Sequence, residues 1–202
     1  VRATRLGVLA LGACNRRSVI AGLERAGAAV DSIEAAQGIE GVDALVLPGV
    51  AHFGFVARAL DELAVRDAVV EAIRAGLPVL GICAGFQLFF EGSDEAPGVP
   101  GLGIFPGRVR RLRGPKSQHI GWNQVVPNAG GEVEGWAYFA HAYAPPADVV
   151  SSYASTTYGE PFTSMSRAEA VTGVQFHPER SGEYGARVLA AFVNSVRPAY
   201  VG

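Results

Sequence analysis

Pro78-Val79-Leu80-Gly81-Ile82-Cys83-Ala84-Gly85-Phe86-Gln87-Leu88-Phe89-Phe90 is the segment around which the rest of the chain is arranged. The apolar run after Pro78 reads as a short buried strand. Leu88, Phe89 and Phe90 continue with helical patterning. Between them lies Gly81-Ile82-Cys83-Ala84-Gly85, a G-x-C-x-G. This is the pattern of a nucleophile elbow with sulfur in place of the serine oxygen. A sharp strand-to-helix turn forces the nucleophile into a strained backbone conformation. Small residues two before and two after keep the neighbouring chain clear of it. The turn also sets Cys83 at a helix N-terminus, where the dipole and free N–H groups favour a thiolate. Taken alone, the same residues also fit a buried structural cysteine with glycines for packing.

Working outward, the preceding residues alternate strand and helix. Residues 6–11 form a first buried strand, and Gly12-Ala13-Cys14-Asn15 a turn. A helix over 18–26 closes at Gly27, and strands follow over 28–33 and 42–47, the latter ending at Pro48-Gly49. Residues 53–75 carry helical spacing up to Gly76. This alternation predicts right-handed crossovers and a mostly parallel sheet. Ligands gather at the carboxyl ends of such strands, where Cys14, Gly49 and Cys83 all fall.

After Phe90 the pattern changes. Residues 92–107 are rich in Gly and Pro and read as loop. Strand-like runs follow over 108–112, 121–126, 136–143, 149–153, 162–166 and 170–176, separated by turn residues. A helix over 183–196 closes the chain. The expected fold is α/β: a three-layer sandwich, mostly parallel with an antiparallel extension, in one domain over residues 1–202. No internal repeat, low-complexity segment or linker interrupts it.

Composition agrees. The chain has 202 residues, of which 49% are apolar and 18% charged, as in a compact globular protein. A net charge of −2 gives no reason to expect nucleic-acid or membrane-surface binding. No apolar run approaches the roughly 20 residues of a membrane span. Residues 1–11 make a poor signal peptide. Two cysteines, Cys14 and Cys83, are too few for a disulfide framework, so a reducing, cytoplasmic setting is expected. No cofactor and no metal are expected.

A second candidate is Val174-Gln175-Phe176-His177-Pro178-Glu179-Arg180-Ser181. His177 and Glu179 are two apart and point the same way if the chain stays extended. Pro178 favours an extended His177 and stops the ladder. A thiol nucleophile needs this pair: a base for its proton and an acid to hold that base. An exposed polar strand end is the plainer alternative. The third candidate is Leu47-Pro48-Gly49-Val50-Ala51-His52-Phe53. Gly49 lets the next peptide reorient, so the Val50 N–H can join the Ala84 N–H as an oxyanion donor. The alternative there is an ordinary strand-ending turn. His52 reads as a surface or helix-capping histidine, not a second base.

Together these residues resemble the class I (triad) glutamine amidotransferases, and the resemblance narrows to the glutaminase subunits of imidazole glycerol phosphate synthase. It rests on residues 47–53, 81–90, Glu91-Gly92-Ser93, Gly101-Leu102-Gly103, His119-Ile120-Gly121-Trp122-Asn123, Tyr138-Phe139-Ala140-His141-Ala142-Tyr143 and 173–181, nearly the whole chain. The resemblance implies hydrolysis of glutamine to glutamate and ammonia by Cys83, His177 and Glu179. It implies oxyanion donors at Val50 and Ala84 beside Gly49. It also implies a pocket for the glutamine's amino-acid end at Gln87, His141, Ala142 and Tyr143. The implied partner is a cyclase subunit, paired as a heterodimer, that uses the ammonia to form imidazole glycerol phosphate and AICAR in histidine biosynthesis. Asn15, Trp122, Tyr138 and Arg180 fall in segments such subunits use at or near that interface.

The chain departs from the family pattern at several points. Ala51 replaces the second glycine of the Pro-Gly-x-Gly turn, Ala142 a serine, and Arg180 a common lysine. Gly12-Ala13-Cys14-Asn15 replaces a glycine-rich turn. None touches the triad, so fine control is affected before reaction class. Other readings are another thiol hydrolase on this fold, such as a stand-alone γ-glutamyl hydrolase or an amidotransferase for a different acceptor, and a non-catalytic binding subunit. The complete set of Cys83, His177 and Glu179 argues against the last.

Overall fold

The structure, a computed structural model, describes residues 2–12, 15–128, 134–149 and 151–196. Its frame is a nine-stranded sheet. The strands in chain order are β1 (Arg5–Leu9), β2 (Ala29–Ile33), β3 (Ala44–Gly49), β4 (Val79–Cys83), β5 (Gly92–Ser93), β6 (Arg108–Arg111), β7 (His119–Pro127), β8 (Gly135–His141), β9 (Tyr143–Ala144), β10 (Ser152–Tyr158), β11 (Glu160–Ala168) and β12 (Val171–Val174). The helices are α1 (Arg16–Arg25), α2 (Phe53–Glu62), α3 (Arg66–Arg74), α4 (Ala84–Gln87) and α5 (Gly182–Ser195). The large sheet runs β2-β1-β3-β4-β12-β11-β10-β7-β8, and β5, β6 and β9 form a small second one. From β2 to β12 neighbours are parallel; from β12 to β8 they are antiparallel. The expected parallel sheet with its antiparallel extension is therefore present.

The parallel strands are buried on both faces, because alternate side chains enter different cores. On β3, Ala44 and Val46 pack with α1 and α5 through Val19, Leu23, Leu189 and Phe192. Leu45 and Leu47 pack on the other side with Phe53, Val56, Leu60 and Val69 of α2 and α3. This gives helices on either side of the sheet. Each fully buried Leu or Val contributes about 1.5–3 kcal/mol relative to exposure.

Several boundaries differ from the sequence reading. The helix expected over 53–75 is two helices. Ala64 takes φ 51°, and the Ala64 and Val65 N–H groups donate to the Asp61 and Leu60 carbonyls, both at 3.0 Å. That is a Schellman end without its usual glycine, closed by the buried pair Leu60 and Val65. The elbow helix stops at Gln87 instead of running through Phe90. Phe89 and Phe90 N–H groups instead close tighter turns on Phe86 and Gln87. The third strand starts at Ala44, not residue 42, and includes Gly49. The run over 136–143 breaks at Ala142 into β8 and β9, and the strand expected over 149–153 starts at Ser152 and runs to Tyr158. The loop over 92–107 opens with β5. Cys14, placed by sequence at the active edge, lies outside the described residues.

Candidate active site

β3, β4 and β12 run parallel, so their carboxyl ends share one edge. Gly49 pairs with Cys83, and Val174 with Ile82. Cys83 has φ 54° and ψ −111°, the strained elbow conformation, and its side chain is buried. Such backbone strain costs on the order of 1–3 kcal/mol and persists only where the surroundings enforce it. They do so through glycines. A Cβ on Gly85 would collide with the Leu47 carbonyl, and one on Gly49 would lie 2.7 Å from the Gly85 nitrogen. One on Gly81 would lie 2.7 Å from the Phe86 Cα. The strand and the elbow approach too closely for any larger residue.

β12 delivers the partners of the sulfur. Just beyond its end His177 sits beside Cys83, and its Nδ1 lies 3.0 Å from Oε1 of Glu179. Both side chains are almost completely buried. Pro178–Arg180 forms a single 3₁₀ turn, so Glu179 comes round beneath the ring instead of following along an extended strand. Hydrogen bonds to the His177 backbone fix the arrangement: its N–H donates to Tyr138 O at 2.9 Å, and the Ser181 hydroxyl donates to its carbonyl at 2.6 Å. Burial alone would push the His177 imidazole down. The negative charge and hydrogen bond of Cys83, and then those of Glu179, overcome it and raise the pKa to about 10. His177 therefore stays protonated beside the sulfur at neutral pH. The four-residue α4 is too short to supply much dipole, so His177 provides the positive charge that the elbow was expected to draw from its helix.

Gln175 joins them from the strand end, its Nε2 3.7 Å from Cys83 Sγ. Gln87 Nε2 donates to Gln175 Oε1 at 3.1 Å and to the Tyr143 carbonyl at 2.8 Å. A cavity of about 190 Å³ opens in front of the sulfur, lined by Val50, Ala84, Gln87, Glu95, Gln118 and Tyr143 among others. Ala51, His52, His141 and Ala142 complete the wall. A sulfur paired with an imidazolium, facing a small polar cavity, can attack an amide carbonyl and hold a polar amino-acid chain.

Known proteins fit this geometry. The glutamine amidotransferase class-I family profile matches residues 12–196. The imidazole glycerol phosphate synthase subunit HisH of Deinococcus radiodurans is 41% identical, over 95% of this chain and 94% of its own. The HisH subunit of Thermococcus kodakarensis is 47% identical, over 76% and 84%. The chain belongs to the class I glutamine amidotransferases, as a HisH-type glutaminase subunit. Structural likeness agrees on the fold. A crystal structure of a glutamine amidotransferase superposes with a TM-score of 0.75 at 21% identity, covering 94% of this chain and 98% of that one. A chain of Thermotoga maritima PurLQS gives 0.75 at 17%, covering 97% and 100%.

In this amidotransferase the residues singled out from sequence fall into two groups. Cys83, His177, Glu179, Gly49, Val50, Ala84, Gln87, His141, Ala142 and Tyr143 meet at the carboxyl edge. Trp122, Tyr138 and Arg180 meet on an adjoining outer face, with the Arg180 guanidinium 4.1 Å over the Tyr138 ring and Trp122 edge-on to it. Asn15 lies just before α1, beside a cleft with Gly12, Arg16 and Arg17. His52 is a helix cap, as expected: its Nδ1 accepts from Gly54 N–H at 3.1 Å. Sequence reasoning missed Gln175, Glu95 and Gln118. The two-residue spacing from Gln175 to His177 could have revealed the first. Glu95 and Gln118 sit in segments without motif signal. Glu95 is aimed by the Phe53 N–H, which donates to its Oε2 at 2.7 Å.

Proposed function

We propose that this chain, folded as one domain over residues 1–202, hydrolyses glutamine with Cys83 as nucleophile, His177 as proton carrier and Glu179 as the acid that orients it. The carrying observation is the buried His177–Glu179 pair beside the elbow sulfur. Nδ1 of His177 is engaged by Glu179, so Nε2 faces Cys83. The thiolate adds to the side-chain amide carbon, and the amide oxygen takes the electron pair. The Ala84 N–H and the Val50 N–H are the donors for that oxyanion. On collapse the C–N bond breaks and His177 gives its proton to the leaving ammonia. Neutral His177 then takes a proton from water, hydroxide attacks the thioester, and glutamate leaves as Cys83 recovers its electron pair. Gln87, His141, Ala142 and Tyr143 hold the amino-acid end, with the Glu95 carboxylate suited to its ammonium.

The ammonia passes to a cyclase subunit, in a heterodimer of cytoplasmic location, that forms imidazole glycerol phosphate and AICAR. An outward apolar stripe supports the docking: Ile120, Trp122, Trp136 and Val126 are exposed at 62%, 54%, 58% and 43%. Trp122 is thus not a core residue. With Tyr138 and Arg180 it supplies the aromatic and arginine anchors typical of interface hot spots, and Asn15 is assigned to the same interface. Among the described residues no helix is long and apolar enough to cross a membrane.

The test is glutamate and ammonia release by the chain alone, with the cyclase subunit, and with that subunit plus its nucleotide substrate. Reorienting the Gly49–Val50 peptide would add one oxyanion donor, worth roughly 10²–10³ in rate. Strong activation is expected; full speed in the isolated chain contradicts a partner-controlled oxyanion hole.

A further inference from the structure

Two buried histidines, His119 and His141, take no part in the proton transfers. His141 Nδ1 lies 2.9 Å from the Tyr143 carbonyl oxygen, which can only accept, so Nδ1 carries the hydrogen. In a neutral ring Nε2 is then a bare lone pair. It faces His119 Nδ1 at 3.2 Å, which must donate. The remaining His119 nitrogen, Nε2, is an acceptor for Asn123 Nδ2 at 3.2 Å. The Asn123 amide cannot be reversed. Its Nδ2 also donates to the Thr157 carbonyl at 2.9 Å, and its Oδ1 accepts the Gln124 N–H at 2.8 Å. Backbone groups at both ends therefore set one direction of donation through two rings. Beyond His141, the Tyr143 carbonyl also accepts from Gln87, which bonds Gln175, whose amide faces Cys83 Sγ.

The geometry points to His119 and Asn123 as positioning residues for the glutaminase reaction: a one-way hydrogen-bond chain from β7 and β10 holds His141 neutral with its hydrogen on Nδ1. That in turn fixes the Tyr143 carbonyl and the Gln87–Gln175 pair against the nucleophile. This rests on the reading of Cys83 as that nucleophile. The His119 ring is itself locked, stacked on Phe139 at 4.6 Å and on Tyr158 at 4.3 Å between centroids. A proton added to either histidine would set two N–H groups against each other. Burial holds His119 down at about 4. Burial first, then the charge of His119 and that of His177, hold His141 at about 3 against the Tyr143 bond. The titratable groups facing the pair are His177 and Cys83 of the triad, Glu95 and His52 across the cavity, Tyr143 on its wall, and Tyr158 behind, whose hydroxyl is committed to Gln118 O at 2.9 Å. The chain keeps His141 from becoming a second imidazolium beside His177.

His119→Asn and His119→Asp test this, because they have one shape and opposite polarity at the atom facing His141. An asparagine amide donates there as Nδ1–H does; an aspartate accepts and invites a proton onto His141. His119→Phe keeps the stacking and removes the donor. Each is assayed with the cyclase subunit present, for kcat and KM against pH from 5.5 to 9, alongside its melting temperature. His119→Asn is expected to keep most of the parent kcat/KM. His119→Asp and His119→Phe are expected to lose about tenfold or more, the scale of one buried hydrogen bond. Their acid limbs should move to higher pH while the folded fraction stays near one. Asn123→Leu, a second route to the same break, should lose activity in the same sense. Equal activity in all three His119 variants, or losses that follow melting temperature alone with an unmoved pH profile, overturns the inference. Cys83→Ser is the control: if it still hydrolyses glutamine, the underlying reading falls as well.

Discussion

β4 and β7 belong to the same sheet and are built to opposite ends. Every residue of β4 is buried, and its side chains divide between two cores. β7 buries one face only. His119 and Val125 point inward, whereas Ile120, Trp122 and Val126 stand exposed on the outer face. The parallel half can therefore hold the strained backbone of Cys83, because close-packed strands and glycines surround it. The antiparallel half lines the site from within and exposes the apolar side chains proposed for docking from without. One residue step on β7 separates Trp122, proposed for the partner, from Asn123, which starts the hydrogen-bond chain toward the cysteine.

The difference can be broken hardest in the parallel half. Gly85→Ala puts a methyl group into the Leu47 carbonyl. It should cost several kcal/mol, beyond the ~1–3 of ordinary overpacking, and abolish activity. Denaturant unfolding and glutamine turnover check both, and a stable, active variant would refute the close approach.

The two faces of the antiparallel half should then separate cleanly. Phe139→Ala empties an inner-face position that is fully buried and should cost about 3–5 kcal/mol. Trp122→Ala on the outer face should shift stability by no more than about 0.5 kcal/mol, yet weaken partner affinity by a hot-spot amount of about 2 kcal/mol. Melting curves and titration with the cyclase subunit measure the pair. Equal destabilisation by both would erase the distinction between the faces.

A graded effect, spread over pH instead of set by one substitution, comes from acid. His119 and His141 have folded pKa values near 4 and 3, below the ordinary 6.5. The unfolded chain therefore binds more protons, and stability present above pH 6.5 is lost as pH falls toward those values. Each histidine contributes a slope of up to about 1.4 kcal/mol per pH unit. His177 runs the other way: raised to about 10, it contributes stability that is fully present below pH 6.5 and is lost as pH rises from there through about 10. Between pH 6.5 and 5, before most carboxylates titrate, stability should fall, and His119→Phe should make the fall shallower. An unchanged slope would place the proton uptake elsewhere.

How much of this was legible in the sequence follows from the range of each signal. The elbow was readable because close backbone approach tolerates only Gly81, Gly85 and Gly49, and glycine spacing is local. His177 and Glu179 were readable as a pair, although the 3₁₀ turn that brings Glu179 beneath the ring was not. The break at Ala64 was hidden because its cause is tertiary: the burial of Leu60 against Val65, with no glycine or proline to mark it. The elbow helix was overread because Leu88, Phe89 and Phe90 are apolar for core packing, not for helix. His119 and Asn123 belonged to a segment that carries the family resemblance, but no spacing or motif there gave either a role at the site. Their meaning depends on which atoms of β8 and β10 they meet, and one strand's spacing cannot say that.

The most direct test of the account is glutamine hydrolysis by Cys83→Ser in the presence of the cyclase subunit, with folding verified by melting. No measurable glutamate or ammonia is expected from a fully folded variant, while Cys14→Ser stays close to the parent rate. Substantial ammonia release by folded Cys83→Ser, or loss of activity in Cys14→Ser with Cys83→Ser still active, would contradict it.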